Sequence, residues 1–222
     1  HTSPLAGFSI KADFILTRIV ARLAVPFFFM TTGFFTLSRY HKDNQRLFAF
    51  LKKTAEIYLA AIVFYLPINI YMGYFSCPHL LPNILKDVLF NGTLYHLWYL
   101  PAAMVGMAVS WWLVEKLDFK KSLAVAAFLY ALGLLGDSYF GLGARIPIIK
   151  NIYASMFEVF NQTRNGLFFA PLFLILGGFI AEKKRPMGKL PAAWGFLLSF
   201  LLMFAESMVL HKMGLPRHDS MY

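Results

Sequence analysis

The stretch Leu97–Gly136 reads LWYLPAAMVGMAVSWWLVEKLDFKKSLAVAAFLYALGLLG: an apolar run, a short basic interruption and a second apolar run. The first run, Leu97–Leu113, reads as a helix spanning a bilayer. The second, Leu123–Gly136, is shorter than the roughly 20 residues that cross about 30 Å of hydrocarbon, and leaves open a re-entrant or protein-buried helix. Lys116, Lys120 and Lys121 lie between them. Just upstream, YHLWYLPAA (Tyr95–Ala103) puts an imidazole where the first of these helices begins, and a polar group there is costly to keep.

Working outward, further apolar runs occur at Ile19–Leu37, Ile57–Met72, Gly166–Ala181 and Ala192–Leu210, giving six expected spans. Hydrophobic residues make up 59% of the chain and charged residues 14%. Soluble domains sit near 45–50% and about 25%, so the fold class expected is an all-α, polytopic integral membrane bundle. Segments 38–54, 115–122 and 182–190 carry 12 Lys/Arg in 34 residues, whereas segments 1–14, 73–96, 137–166 and 211–222 carry 7 in 80. The positive-inside bias puts the dense set in the cytoplasm, and the two sets alternate along the chain. Most of the net charge of +10 therefore flanks spans, where it meets anionic lipid or sets topology, which argues against nucleic acid.

Two outer segments are richer than loops. Leu80–Leu94 and Ile146–Phe160 mix large apolar residues with Lys86, Asp87, Lys150 and Glu158, and read as helices lying on the membrane surface. Gly133, Gly136, Gly141 and Gly143 punctuate the turn before the second. With no repeat or linker, residues 1–222 read as one domain. A start at His1 and polar residues before Tyr222 lead to the expectation that this domain is truncated at both ends. The lone Cys77 excludes an internal disulfide or a multi-Cys metal site, and no metal site is expected.

Several polar residues stand out against this background. Arg18 and Arg22, four apart, share a helix face. They form either a fork for a carboxylate, phosphate or thioester oxygen, or a structural pair satisfied by acids or carbonyls. His96, followed by Trp98, is a general base or a hydrogen-bond anchor. Arg164, in Gln162-Thr163-Arg164-Asn165-Gly166, either binds an anion or snorkels to headgroups. Glu206 lies inside the last apolar run and wants a cation, with Arg18 or Arg22 as partner. Lys42, Arg46, Lys52 and Lys53 form a basic strip suited to phosphates or to a topology signal. Asn91-Gly92-Thr93 and Asn161-Gln162-Thr163 fit the short glycosylation pattern.

Taken in order, His1–Leu5 (HTSPL), Ala21–Phe35 (ARLAVPFFFMTTGFF), the YHLWYLPA stretch and Thr163–Phe169 (TRNGLFF) resemble the type-three superfamily of membrane acyltransferases. The chain most closely resembles the membrane half of serine/alanine racemases from D-serine-type vancomycin-resistance clusters, where a cytoplasmic pyridoxal-phosphate racemase follows. The resemblance implies a ten-helix bacterial plasma-membrane fold, with six spans visible here. It implies an acyltransferase that moves an acyl group from cytoplasmic acyl-CoA, without a covalently bound cofactor, to a cell-wall or surface carbohydrate outside. His1 matches the family's histidine and becomes a general base together with His96. Arg18, Arg22, Trp98, Arg164 and Glu206 become the substrate- and acyl-binding set. Lys52 and Lys53 stand where family members carry an arginine-rich pair, and would hold the CoA phosphates. The alternative is a domain supplying L-serine to a fused racemase during cell-wall precursor remodelling.

Overall fold

Helix begins at Ile10, where the chain runs to Val25 with no Gly or Pro to break it. In a computed structural model that describes residues 7–40, 43–76, 79–183 and 188–213, α1 (Ile10–Phe14) passes into a π-turn (Ile15–Ile19) and a 3₁₀ turn (Val20–Leu23) before α2 (Ala24–Tyr40). Such irregular turns inside a helix re-aim its side chains, and they are frequent at functional sites. Asp43 caps α3 (Asn44–Tyr71) by accepting the Gln45 amide at 3.1 Å. This helix starts well before the expected span, so most of the basic segment 38–54 is helical extension rather than loop.

The chain continues through α4 (Leu80–Lys86), a π-turn (Asp87–Asn91), a 3₁₀ turn (Tyr95–Trp98) and α5 (Tyr99–Gly136). It then passes through α6 (Phe140–Gly143), α7 (Pro147–Val159), α8 (Ala170–Glu182) and α9 (Lys189–Met213). Among the described residues all regular structure is helical. Ala12–Leu37, Tyr99–Gly136 and Leu190–Leu210 are long and apolar enough to cross a membrane.

The 38 residues of α5 do not form one rod. Asp118, with φ 69° and ψ 167°, interrupts the helix in a positive-φ, extended conformation that is strained for any residue but glycine. Its carboxylate then accepts the amides of Lys120 and Lys121 at 2.9 and 3.1 Å, capping the second arm. A straight helix would hold Gly106 and Gly133 about 40 Å apart. Yet a Cβ built on Gly106 lies 2.5 Å from the Ala170 Cβ, and one on Gly133 lies 3.0 Å from the Phe168 Cβ. Both arms therefore run against the start of α8, and α5 is a hairpin with Asp118 at its tip. The basic interruption of the sequence is that tip. Beside it Val114, Glu115, Asp118, Phe119, Lys120, Phe179 and Glu182 line a cavity of about 500 Å³, so the basic segments 115–122 and 182–183 share one end of the bundle.

The centre of the bundle is α8, wedged between α2 and the α5 hairpin, with Leu174 and Ile175 fully buried. It can lie there because of glycine. A Cβ on Gly33 would stand 1.9 Å from the Leu174 carbonyl oxygen, and one on Gly177 1.9 Å from that of Met30. Lipid tails offer no hydrophobic drive for helices to associate, so close backbone approach through small residues supplies the packing. Phe29, Leu37, Met107, Trp111 and Phe119 close the core around this crossing.

Two expectations need correction. Gly133 and Gly136 are buried in the second arm of α5, and a Cβ on Gly136 would meet Thr163 Cγ2 at 2.5 Å, so they serve close packing rather than a turn. The segment from Leu80 does not simply lie flat. The hydroxyls of Tyr58, midway along α3, and Tyr74, beyond its end, both reach Asp87. The segment therefore runs back beside α3, because Asp87 finds hydroxyl partners there. By contrast α7 keeps Ile148 and Ile152 exposed on one side and buries Tyr153 on the other, as a surface helix should.

Candidate functional site

Counted from the Asp118 tip, the first arm of α5 rises about 30 Å to Trp98, the thickness of a bilayer's hydrocarbon. The 13 residues of α8 span only about 20 Å, so the chain entering it must cover the remaining depth without helix. Irregular backbone at that depth is tolerated only where protein buries it. Gln162, Thr163, Arg164 and Asn165 do this, each 8% exposed or less.

Local chemistry fixes that segment. Asn165 Oδ1 accepts the amides of Leu167 and Phe168 at 2.9 and 3.1 Å, while its Nδ2 donates to the Gln162 carbonyl at 3.1 Å. Thr163 donates its hydroxyl to the Gly133 carbonyl at 2.7 Å, tying the segment to the second arm of α5. Gly166 ties it to the first arm, since a Cβ there would lie 2.9 Å from the Ala102 carbonyl oxygen. Held on both sides, the segment presents Arg164.

The Arg164 guanidinium lies over the Trp98 ring, 4.6 Å from its centroid, and Nη2 donates to Gln162 Oε1 at 3.0 Å. A desolvated guanidinium over indole is worth on the order of 2 kcal/mol. Phe169 packs edge-on to Trp98 at 6.3 Å and meets Phe29 at 6.1 Å, and Phe29 in turn meets Tyr99 at 4.7 Å. The arrangement is a cation held on an aromatic wall, next to three converging helices. Arginine in such a place offers fixed donors to a carboxylate, a phosphate or a polarised carbonyl oxygen.

The structure thus brings together Trp98 and Arg164, and adds Gln162. His1 lies outside the described residues, as do the side chains of Arg18 and His96. The backbone of Arg18 falls in the π-turn and that of His96 in the 3₁₀ turn leading to Trp98. Arg22 lies in the other 3₁₀ turn with its Nη2 shielded from solvent. Glu206, on α9, accepts a hydrogen bond from the Tyr139 hydroxyl, and α9 packs on the π-turn that carries Arg18. Lys52, 80% exposed, stands 4.0 Å from Glu56, and Lys53 is exposed beside it near the start of α3. Arg46, in the same basic strip, pairs with Asp43 at 3.1 Å. Among the described residues no three His, Cys, Asp or Glu side chains gather into a metal site.

Three polar residues went unread in the sequence: Gln162, Tyr139 and Asp13. Asp13 is 8% exposed within α1. Asp13 precedes the first expected span, Ile19–Leu37, so the sequence did not mark it as an acid within a helix crossing the membrane; nothing local marks Tyr139, whose partner is 67 residues away.

A family model described as an acyltransferase domain matches residues 1–210. An amino-acid racemase of Enterococcus faecalis is 49% identical over 222 residues, which is all of this chain and 31% of that protein. A serine/alanine racemase of Enterococcus gallinarum is 37% identical over 227 residues, again the whole chain and 32% of that protein. The chain spans about a third of the length of these curated relatives. No solved structure matches it.

Proposed function

This chain belongs to the acyltransferase-domain family, a family of membrane proteins, and on that premise we propose that it moves an acyl group from cytoplasmic acyl-CoA to a cell-wall or surface carbohydrate outside. The observation that carries the reading is Arg164 held over Trp98 at the end of the bundle opposite the basic tip. That end is where an outer acceptor arrives. There the guanidinium steadies the oxygen on which negative charge develops during acyl transfer.

The remaining roles follow from the same premise. His1 takes the proton of the acceptor hydroxyl, and the thioester carbonyl carbon gains that oxygen as it loses the CoA sulfur. Arg18 and Arg22 steady the thioester oxygen or an anionic acceptor, while His96 and Glu206 complete the polar wall. Lys52 and Lys53, exposed near the start of α3, hold the phosphates of CoA on the cytoplasmic side. The chain is one domain of a ten-helix fold crossing the bacterial plasma membrane, and six of its spans fall within these residues.

The test is transfer of label from acetyl-CoA, supplied on the cytoplasmic side of proteoliposomes, to wall material on the other side. Transfer that His1→Ala and Arg164→Ala abolish is expected. Label transfer undiminished in His1→Ala would remove the proposal.

A second reading is favoured by the racemases that match the whole of this chain. In it the domain passes L-serine to a fused cytoplasmic racemase for peptidoglycan precursor remodelling and vancomycin resistance. Arg18 and Arg22 bind the amino-acid carboxylate and Glu206 its ammonium. Serine uptake by vesicles carrying the domain, above that of empty vesicles, is its signature.

A further inference from the structure

Asn91 is 7% exposed, so the Asn-Gly-Thr pattern it begins faces inward and offers no acceptor for a glycan. Its side chain is used twice. Nδ2 donates to Asp87 Oδ1 at 3.1 Å, and Oδ1 accepts the Asn161 amide at 2.9 Å. The Asp87 carboxylate can only accept, so the Asn91 NH₂ must face it and the Asn91 oxygen must face Asn161. Tyr74 holds the other Asp87 oxygen with a hydroxyl at 2.8 Å. One residue beyond Asn161 stands Gln162, whose Oε1 takes Arg164 Nη2.

The next residue acts on the other half of the pair. Gly92 has φ +81°, and a Cβ there would lie 2.6 Å from the Trp98 backbone nitrogen and 2.8 Å from the Leu97 carbonyl carbon. The Gly92 backbone is thus seated directly against that of Trp98, in a conformation only glycine takes without strain.

We propose that Asn91 and Gly92 form a clasp that sets the two halves of the Arg164–Trp98 pair against each other, with Asn91 a positioning residue for acyl transfer. The clasp rests on the acyl-transfer reading only for its effect on activity. Asn91 holds the Gln162–Arg164 segment from outside the bundle core, and Gly92 fixes the depth at which Trp98 enters α5. Residues 70 apart in sequence are thereby registered by one turn.

Hydrogen exchange, read by mass spectrometry on the full-length protein in nanodiscs, tests the clasp without requiring activity. Asn91→Ala and Asn91→Asp are expected to speed exchange in residues 161–168 roughly tenfold while α8 stays protected. Asp87→Asn combined with Asn91→Asp reverses donor and acceptor yet leaves an oxygen facing the Asn161 amide. That double variant is expected to restore both the slow exchange and the label transfer that Asn91→Asp loses. Exchange unchanged in Asn91→Ala, a double variant no better than Asn91→Asp, or faster exchange with label transfer intact would each overturn the proposal. A parent protein that transfers no label removes the acyl-transfer reading, while exchange still decides the clasp.

Discussion

Substituting Gly177 by Ala tests whether the α2–α8 crossing is what holds the bundle together. The added methyl would begin 1.9 Å from the Met30 carbonyl oxygen. That neighbour is backbone, so no rotamer change relieves it. The helices must part until the contact reaches 3.4 Å, about 1.5 Å of separation. Parting also loosens Phe29, Leu37, Leu174 and Ile175, all fully buried at this crossing. Overpacking costs about 1–3 kcal/mol, and a backbone clash of this depth belongs at the upper end, about 3 kcal/mol. Gly33→Ala is expected to cost the same, because its clash with the Leu174 carbonyl is the mirror of the first. The double substitution is the sharper test. Once one methyl has pushed the helices apart, the second finds room already made, so the pair should cost well under the sum. Steric-trapping measurements of unfolding in micelles read these differences. Gly195→Ala is the control: nothing lies within 4 Å of a Cβ there, and helix propensity alone predicts a gain of up to about 1 kcal/mol. A Gly177→Ala protein within 0.5 kcal/mol of the parent, or a strictly additive double variant, would refute the argument.

Other outcomes follow from the site and its supports. Arg164→Lys keeps the charge but loses the planar stack on Trp98, so label transfer should fall by roughly tenfold or more, and Trp98→Leu should fall to a similar degree without a further loss in the double variant. Asn165→Ala removes the acceptor for the Leu167 and Phe168 amides and should cost about 1–2 kcal/mol in the same unfolding assay, with Asn165→Asp losing much less. Burial pushes the Tyr153 phenol above its ordinary value of 10.0. The folded state therefore keeps the proton longer than the unfolded one. Its contribution is complete below about pH 10 and lost as pH rises through the folded value, so a titration of stability should fall more steeply in the parent than in Tyr153→Phe.

Much of the fold was legible because its signals are local. The runs around 97–113 and 123–136 and the basic residues between them marked two helices meeting on one side, and the hairpin at Asp118 is that reading made in three dimensions. The helix Pro147–Val159 also followed from its own residues. The clasp of Asn91 was not legible, since Asn-Gly-Thr reads as a surface acceptor when its neighbours are unknown. Gly133 and Gly136 looked like turn residues for the same reason. A glycine that lets backbones touch and one that lets a backbone turn are identical in sequence.

By itself the sequence determined that this chain is helical, that it lives in a bilayer, and which end of the bundle carries the positive charge. Those properties depend on the solvation of each segment alone: apolar length against hydrocarbon thickness, and cations against the leaflet they face. Only the tertiary structure decided that Arg164 rests on Trp98, that Gln162 holds it, and that α8 is the buried centre despite being shorter than the α5 hairpin and α9. Those outcomes depend on which backbones come within touching distance, and that is set by the fit of glycine against carbonyl between segments far apart in the chain.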